Sequence, residues 1–91
     1  MLKFEWDTEK AASNLRKHGV SFDEAGSVFL DQLALSGQDP DHSADELRYI
    51  TIGMSRLGRL LVVSHTHRPG TIRIIGARRV TRVERKIYEE G

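Results

Sequence analysis

The chain has 91 residues, no cysteine, and fourteen basic against thirteen acidic side chains. That length supports one domain over residues 1–91 with a thin core, and the missing thiols exclude disulfides and cysteine metal sites. The opening MLKFEWDTEK carries no secretory leader, and no apolar run is long enough to cross a bilayer, so a soluble cytoplasmic protein with no membrane partner is expected.

Leu2 to Trp6 reads as a short first strand. Asp7 is placed to cap the helix TEKAASNLRKH, which Gly19 stops. On that helix Ala11, Leu15 and His18 share one face, and Lys10, Asn14 and Lys17 another. Ser21 to Glu24 has the capping-box pattern and opens a second helix with Phe22, Ala25 and Phe29 turned inward. Gly37 to Asp45 is polar, contains Pro40, and reads as a loop or irregular edge. Strand-like runs follow at Leu47 to Gly53, Arg59 to His67 and Thr71 to Arg78. Ser55 to Gly58 and Pro69-Gly70 supply the turns between them. Thr81 to Glu84 is another capping box, starting a terminal helix with Val83 and Ile87 inward. The expected class is α+β: an antiparallel sheet of about four strands, with two N-terminal helices and one C-terminal helix packed on it.

Charge is split along the chain. Residues 1–47 hold ten acidic and four basic side chains; residues 48–91 hold ten basic and three acidic, and nine of those ten cations are arginine. The guanidinium fork suits phosphate and carboxylate, so an anionic partner is implied, although a solvated surface explains the count as well. Strict alternation puts Arg68 on the face of Thr66, Ser64 and Val62. It puts Arg73 with Ile75 and Ala77, and Arg78 on the opposite face with Ile72, Ile74 and Gly76. Arginines on partly apolar faces need an anion, and either RNA phosphates or the acidic first half can supply it. Lys10, Asn14 and Lys17 form a ridge that suits an RNA backbone, or an ordinary solvated helix face. His18, His42, His65 and His67 are the proton-shuttle candidates. His65 and His67 share one side of a strand and would be the start of a metal site, which no ligand spacing supports. His18, beside the helix stop, reads as structural. Glu46 is a general base or a salt-bridge partner, Glu84 the capping partner of Thr81, and Trp6 a core residue; Tyr88 is open.

The segment Phe4-Glu5-Trp6-Asp7-x-x-Lys10-x-x-x-Asn14-x-x-Lys17-His18-Gly19-Val20-Ser21-Phe22-x-Glu24-Ala25 resembles the signature of the BrnT family. So do Asp39-x-x-His42-Ser43-x-x-Glu46-x-Arg48, Thr66-x-Arg68, Arg73-Ile74-Ile75-x-Ala77-Arg78, and the ending Glu84-Arg85 with Tyr88-Glu89. The match runs over nearly the whole chain. It departs at Leu47, where the family more often has glutamate, and at Gly76, where it often has serine.

The resemblance implies a RelE-like fold and a type II toxin that cleaves RNA with no metal or other cofactor. It also implies a BrnA-like ribbon-helix-helix antitoxin and operator DNA bound through the complex of the two. On that reading Arg68 and Arg73, then Arg48, stabilise the scissile phosphate, and Glu46 or His42 moves protons. Lys10, Asn14, Lys17, Thr66, Arg78 and Arg82 hold the RNA. The rival readings are a non-enzymatic binding module that uses the same arginines, and a metal-dependent nuclease built on His65 and His67.

Overall fold

The computed structural model describes residues 2–40 and 46–91. Strands β1 (Phe4–Glu5), β2 (Leu35–Gln38), β3 (Tyr49–Met54), β4 (Leu60–Arg68) and β5 (Thr71–Arg79) form one sheet in the order β1-β5-β4-β3-β2. Helices α1 (Thr8–His18) and α2 (Phe22–Ser27) precede β2, with a 3-10 turn over Val28–Leu30, and α3 (Arg82–Glu90) ends the chain. Two corrections to the expected sheet follow. It has five strands, because Leu35–Gln38 pairs along β3 as an edge strand, in a stretch where a loop or irregular edge was expected from Gly37 onward. It is mixed, because β1 runs parallel to β5.

Local chemistry sets the helix limits. The Asp7 carboxylate accepts from the amides of Glu9 and Lys10, and Gly19 ends α1 at φ +68°, a conformation that suits a residue without Cβ. Ser21 caps α2, but only half of the expected capping box forms. Glu24 turns its carboxylate to Ser55 and Arg59 instead, and lies buried there. Thr81 and Glu84 make the full box at the start of α3.

The core lies between the sheet and the first two helices. Val20, Phe22, Ala25 and Val28 pack on Leu61, Val63, Ile74 and Ala77, with Phe4, Trp6, Ala11 and Phe29 around them. Leu15 stays exposed, so Ala11 alone of the expected α1 stripe joins this core. Gly53 is required by close approach: a Cβ there would stand 2.7 Å from Val28 Cγ1. Helix α3 docks differently from expectation. Val83 and Ile87 are exposed. Two polar contacts hold the helix instead: Arg78 to Glu84, and the Tyr88 hydroxyl donating to Asp31 at 2.7 Å. No helix among the described residues is long and apolar enough to cross a membrane.

Candidate active site

A bulge in β5 decides which arginines meet. Ser64 pairs with Gly76 but His65 pairs with Ile74, so Ile75 is an extra residue with no partner on β4. The alternation of β5 changes phase there. Ala77 comes to lie opposite Val63 and joins the core, while Arg78 lies opposite Val62 and Arg73 opposite Thr66. Regular alternation on β4 keeps Val62, Ser64, Thr66 and Arg68 together. Arg68, Arg73 and Arg78 therefore share the sheet face turned away from α1 and α2. This corrects the expectation that Arg73 sides with Ala77 and opposes Arg78. Arg48 stands one residue before β3, half-buried, and alternation from Tyr49 turns it to the same face.

Carboxylates meet these cations. Arg73 Nη1 donates to Glu5 Oε2 at 2.5 Å, and the same oxygen lies 3.9 Å from Arg68 Nε. Arg68 Nη2 donates to Glu46 Oε2 at 3.2 Å. All four side chains remain about a third to a half exposed. Arg78 is held more tightly, with both terminal nitrogens on Glu84 at 2.8 Å. The Arg78 guanidinium pulls the Glu84 carboxyl down to about 2, against the cost of its burial. Arg78 is thereby a tie between β5 and α3. Arg82 lies exposed in the first turn of α3. Among the described residues, Thr66 Oγ1 is the buried side-chain polar atom without a hydrogen-bond partner, and it sits in register with Arg73.

The other sheet face carries a hydrogen-bonded chain. Ser36 Oγ meets Thr51 Oγ1 at 2.7 Å, Thr51 Oγ1 meets His65 Nε2 at 2.8 Å, and His65 Nδ1 meets His67 Nε2 at 3.1 Å. Tyr49 stacks on His67 with ring centroids 4.7 Å apart, and Phe29 meets His65 edge-on. Burial, then the charge of His67, lowers the His65 imidazole to about 4, so it stays neutral. With both ring nitrogens engaged, His65 is not placed as half of a metal chelate. Among the described residues no group of three or more His, Asp or Glu is gathered to hold a metal ion.

His67 is exposed and lines a depression of about 370 Å³ at the β4–β5 turn, together with Lys3, Arg68 and Thr71. A larger hollow of about 620 Å³ lies against α2, walled by Phe4, Trp6, Phe22 and Leu30, with the ion pair Arg56–Asp23 also in its lining.

Asn14 has a role the sequence pattern did not show. Its amide donates to Val20 O at 2.9 Å and Ala77 O at 2.8 Å, and its carbonyl accepts from Ala77 N at 3.1 Å. β1 pairs only with Ile72 and Arg73, so Asn14 satisfies the β5 edge beyond it. Both amide protons are committed, which makes Asn14 a strut between α1 and β5. Lys10 and Lys17 line a separate shallow depression beside it with Ser13, His18 and Ile75. A Cβ at Gly76 would have ordinary room, with Asn14 Oδ1 at 3.8 Å.

One sheet face therefore assembles Arg68, Arg73, Glu46 and Thr66 and adds Glu5, while the opposite face carries Tyr49, His65 and His67, of which His67 lines a depression together with Arg68. Lys10 and Lys17 lie apart from these groups, and His42 lies outside the described residues. Glu5 was visible only as part of a motif, because its partners are 63 and 68 residues away.

The family model describing the ribonuclease toxin BrnT of type II toxin–antitoxin systems matches residues 6–84. Among solved structures, the fold is similar to the crystal structure of the Brucella abortus ribonuclease toxin BrnT. The TM-score is 0.67 at 24% identity, covering 90% of this chain and 100% of that one. No curated protein matches the sequence.

Proposed function

Because the chain belongs to the BrnT family of ribonuclease toxins of type II toxin–antitoxin systems, we propose that its arginine-bearing sheet face is an endoribonuclease site working without metal. The RNA's own 2′-hydroxyl attacks the adjacent phosphate in line, leaving a 2′,3′-cyclic phosphate and a 5′-hydroxyl. The protein's task is alignment, offsetting charge on the phosphorane, and moving protons. Arg68 and Arg73 are the phosphate-stabilising groups, with Arg48 beside them. Lys10, Lys17 and Arg82 guide the flanking backbone. Glu46 and His42 are the acid–base candidates carried by the motif. The fold reading is RelE-like, and the 91 residues act as one cytoplasmic unit.

The observation that carries this reading is the pair Arg68 and Arg73, about a third to a half exposed on one sheet face and met by the exposed carboxylates of Glu5 and Glu46. A phosphate between the two guanidinium groups would take the place of those carboxylates. The Glu5 and Glu46 pairs do not oppose this. Exposed ion pairs are worth only about 0.2–1 kcal/mol each, so a phosphodiester can displace them.

The same pairs favour a second reading, in which the face grips an acidic segment of a partner without cleaving RNA. On either reading the partner is a BrnA-like ribbon-helix-helix antitoxin, and the complex of the two binds operator DNA. Incubation of the purified protein with a short RNA in a strong chelator separates the readings. Cyclic-phosphate ends support cleavage; intact RNA that stays bound supports the binding module; loss of cleavage on chelation returns the question to a metal-dependent enzyme.

A further inference from the structure

We propose that His67 is the general base of the cleavage step, with its tautomer set by the buried chain His65–Thr51–Ser36; this rests on the ribonuclease reading above. Three observations converge on His67. It is the exposed end of the hydrogen-bonded chain, fixed through Nε2 to His65 Nδ1. Its ring lies flat on Tyr49 and nearly parallel to His65, at 28° and 18°. It shares its depression with Arg68 and Lys3, which can hold the phosphate next to the ribose it would serve. His67 and Arg68 start on opposite faces of β4 but line the same depression at the β4–β5 turn, so a strand held by Arg68 would pass His67.

Stacking alone fixes the ring plane. The hydrogen bond also fixes rotation within that plane, which matters when one particular ring atom must face the substrate. The chain also couples polarity along its length. If His67 Nε2–H donates to His65 Nδ1, then His65 Nε2–H donates to Thr51, and Thr51 donates to Ser36. This is the polarity that survives protonation of His67, because His65 needs no change of tautomer. It leaves Nδ1 of His67 with a lone pair. A neutral His65 is required throughout, and burial between Phe29 and Tyr49 keeps it so.

In the step itself, Nδ1 of His67 accepts the 2′-hydroxyl proton as the 2′-oxygen electron pair bonds to phosphorus. The phosphorus–O5′ bond breaks with its electron pair on O5′, which takes a proton from water. The imidazolium then returns its proton to solvent. Glu46 remains the counter-ion of Arg68.

The test uses the full chain and a short RNA, with binding read on the 2′-deoxy form of the same oligonucleotide. His67→Ala should lose about a hundredfold in cleavage rate or more while keeping the melting temperature and the 2′-deoxy affinity. Free imidazole should restore a large part of the loss. His67→Phe, which keeps a flat ring on Tyr49 but has no nitrogen, should lose as much and gain nothing from imidazole. Wild-type cleavage by His67→Phe would make the ring a stacking surface and overturn the proposal. So would a His67→Ala deficit that imidazole leaves untouched. Wild-type protein that binds RNA without cutting it would instead overturn the ribonuclease reading, and this one with it.

Discussion

Replacing Asn14 by alanine separates a strut from an RNA contact. The substitution removes three hydrogen bonds of 2.8–3.1 Å. It also strips partners from the carbonyl of buried Val20 and from both backbone groups of buried Ala77. At a net value near 1 kcal/mol per bond, with water reaching part of the uncovered edge, the loss is about 2–3 kcal/mol. For a domain of this size that lowers Tm by roughly 10–20 °C. The uncovered β5 edge should also promote aggregation on heating. Lys10→Ala, at an exposed site one turn away, should stay within about 0.5 kcal/mol of the parent. Melts followed by far-ultraviolet circular dichroism read the stability. Affinity for a 2′-deoxy oligonucleotide, measured well below the melt, reads the RNA contact. An unchanged Tm with weakened oligonucleotide binding would refute the strut and restore Asn14 to the RNA ridge.

Glu5→Gln removes the carboxylate that faces both Arg73 and Arg68. Binding of the same oligonucleotide should tighten severalfold, in line with about 0.5–1 kcal/mol for an exposed pair, and weaker binding would show that Glu5 positions the arginines instead of competing for them. Glu84 gives a pH signature: its carboxyl is lowered from 4.5 to about 2. Its stabilisation is fully present above pH 4.5 and is lost as pH falls from there toward 2. Urea melts of Glu84→Gln across that window should show a shallower acid loss than the parent, and parallel curves would remove the Arg78–Glu84 tie from the account.

Local signals were legible where their physics is local. Asp7, Gly19 and the Thr81–Glu84 box mark helix ends through contacts within four residues, and those ends stand where the sequence puts them. Ser21 gave the start of α2, but the fate of Glu24 depended on Arg59, thirty-five residues on. The same holds for α3, whose apolar Val83 and Ile87 suggested an inward stripe. The ion pair at Glu84 and the bond from Tyr88 to Asp31 turn another face toward the protein. Strand β2 was obscured because Leu35-Ser36-Gly37-Gln38 is an edge with one partner and little apolar alternation.

The bulge mattered most for the site. A period of two is the right rule for a regular strand, and one extra residue at Ile75 inverts it for everything downstream. Gly76 beside Ile75 was the available hint, since a strand glycine often marks such a break. Without the bulge Arg78 would point into the core side. With it, three arginines line one face. The histidine chain was half legible: His65 and His67 were seen as neighbours, but their link to Thr51 and Ser36 required the β2–β3–β4 register.

The most direct measurement is the single-turnover cleavage rate of a short RNA by Arg68→Ala and by Arg73→Ala at saturating protein. Guanidinium stabilisation of the phosphorane predicts a fall of about a hundredfold or more in each, with folding and cyclic-phosphate products retained. Cleavage by both variants at the parent rate would contradict it.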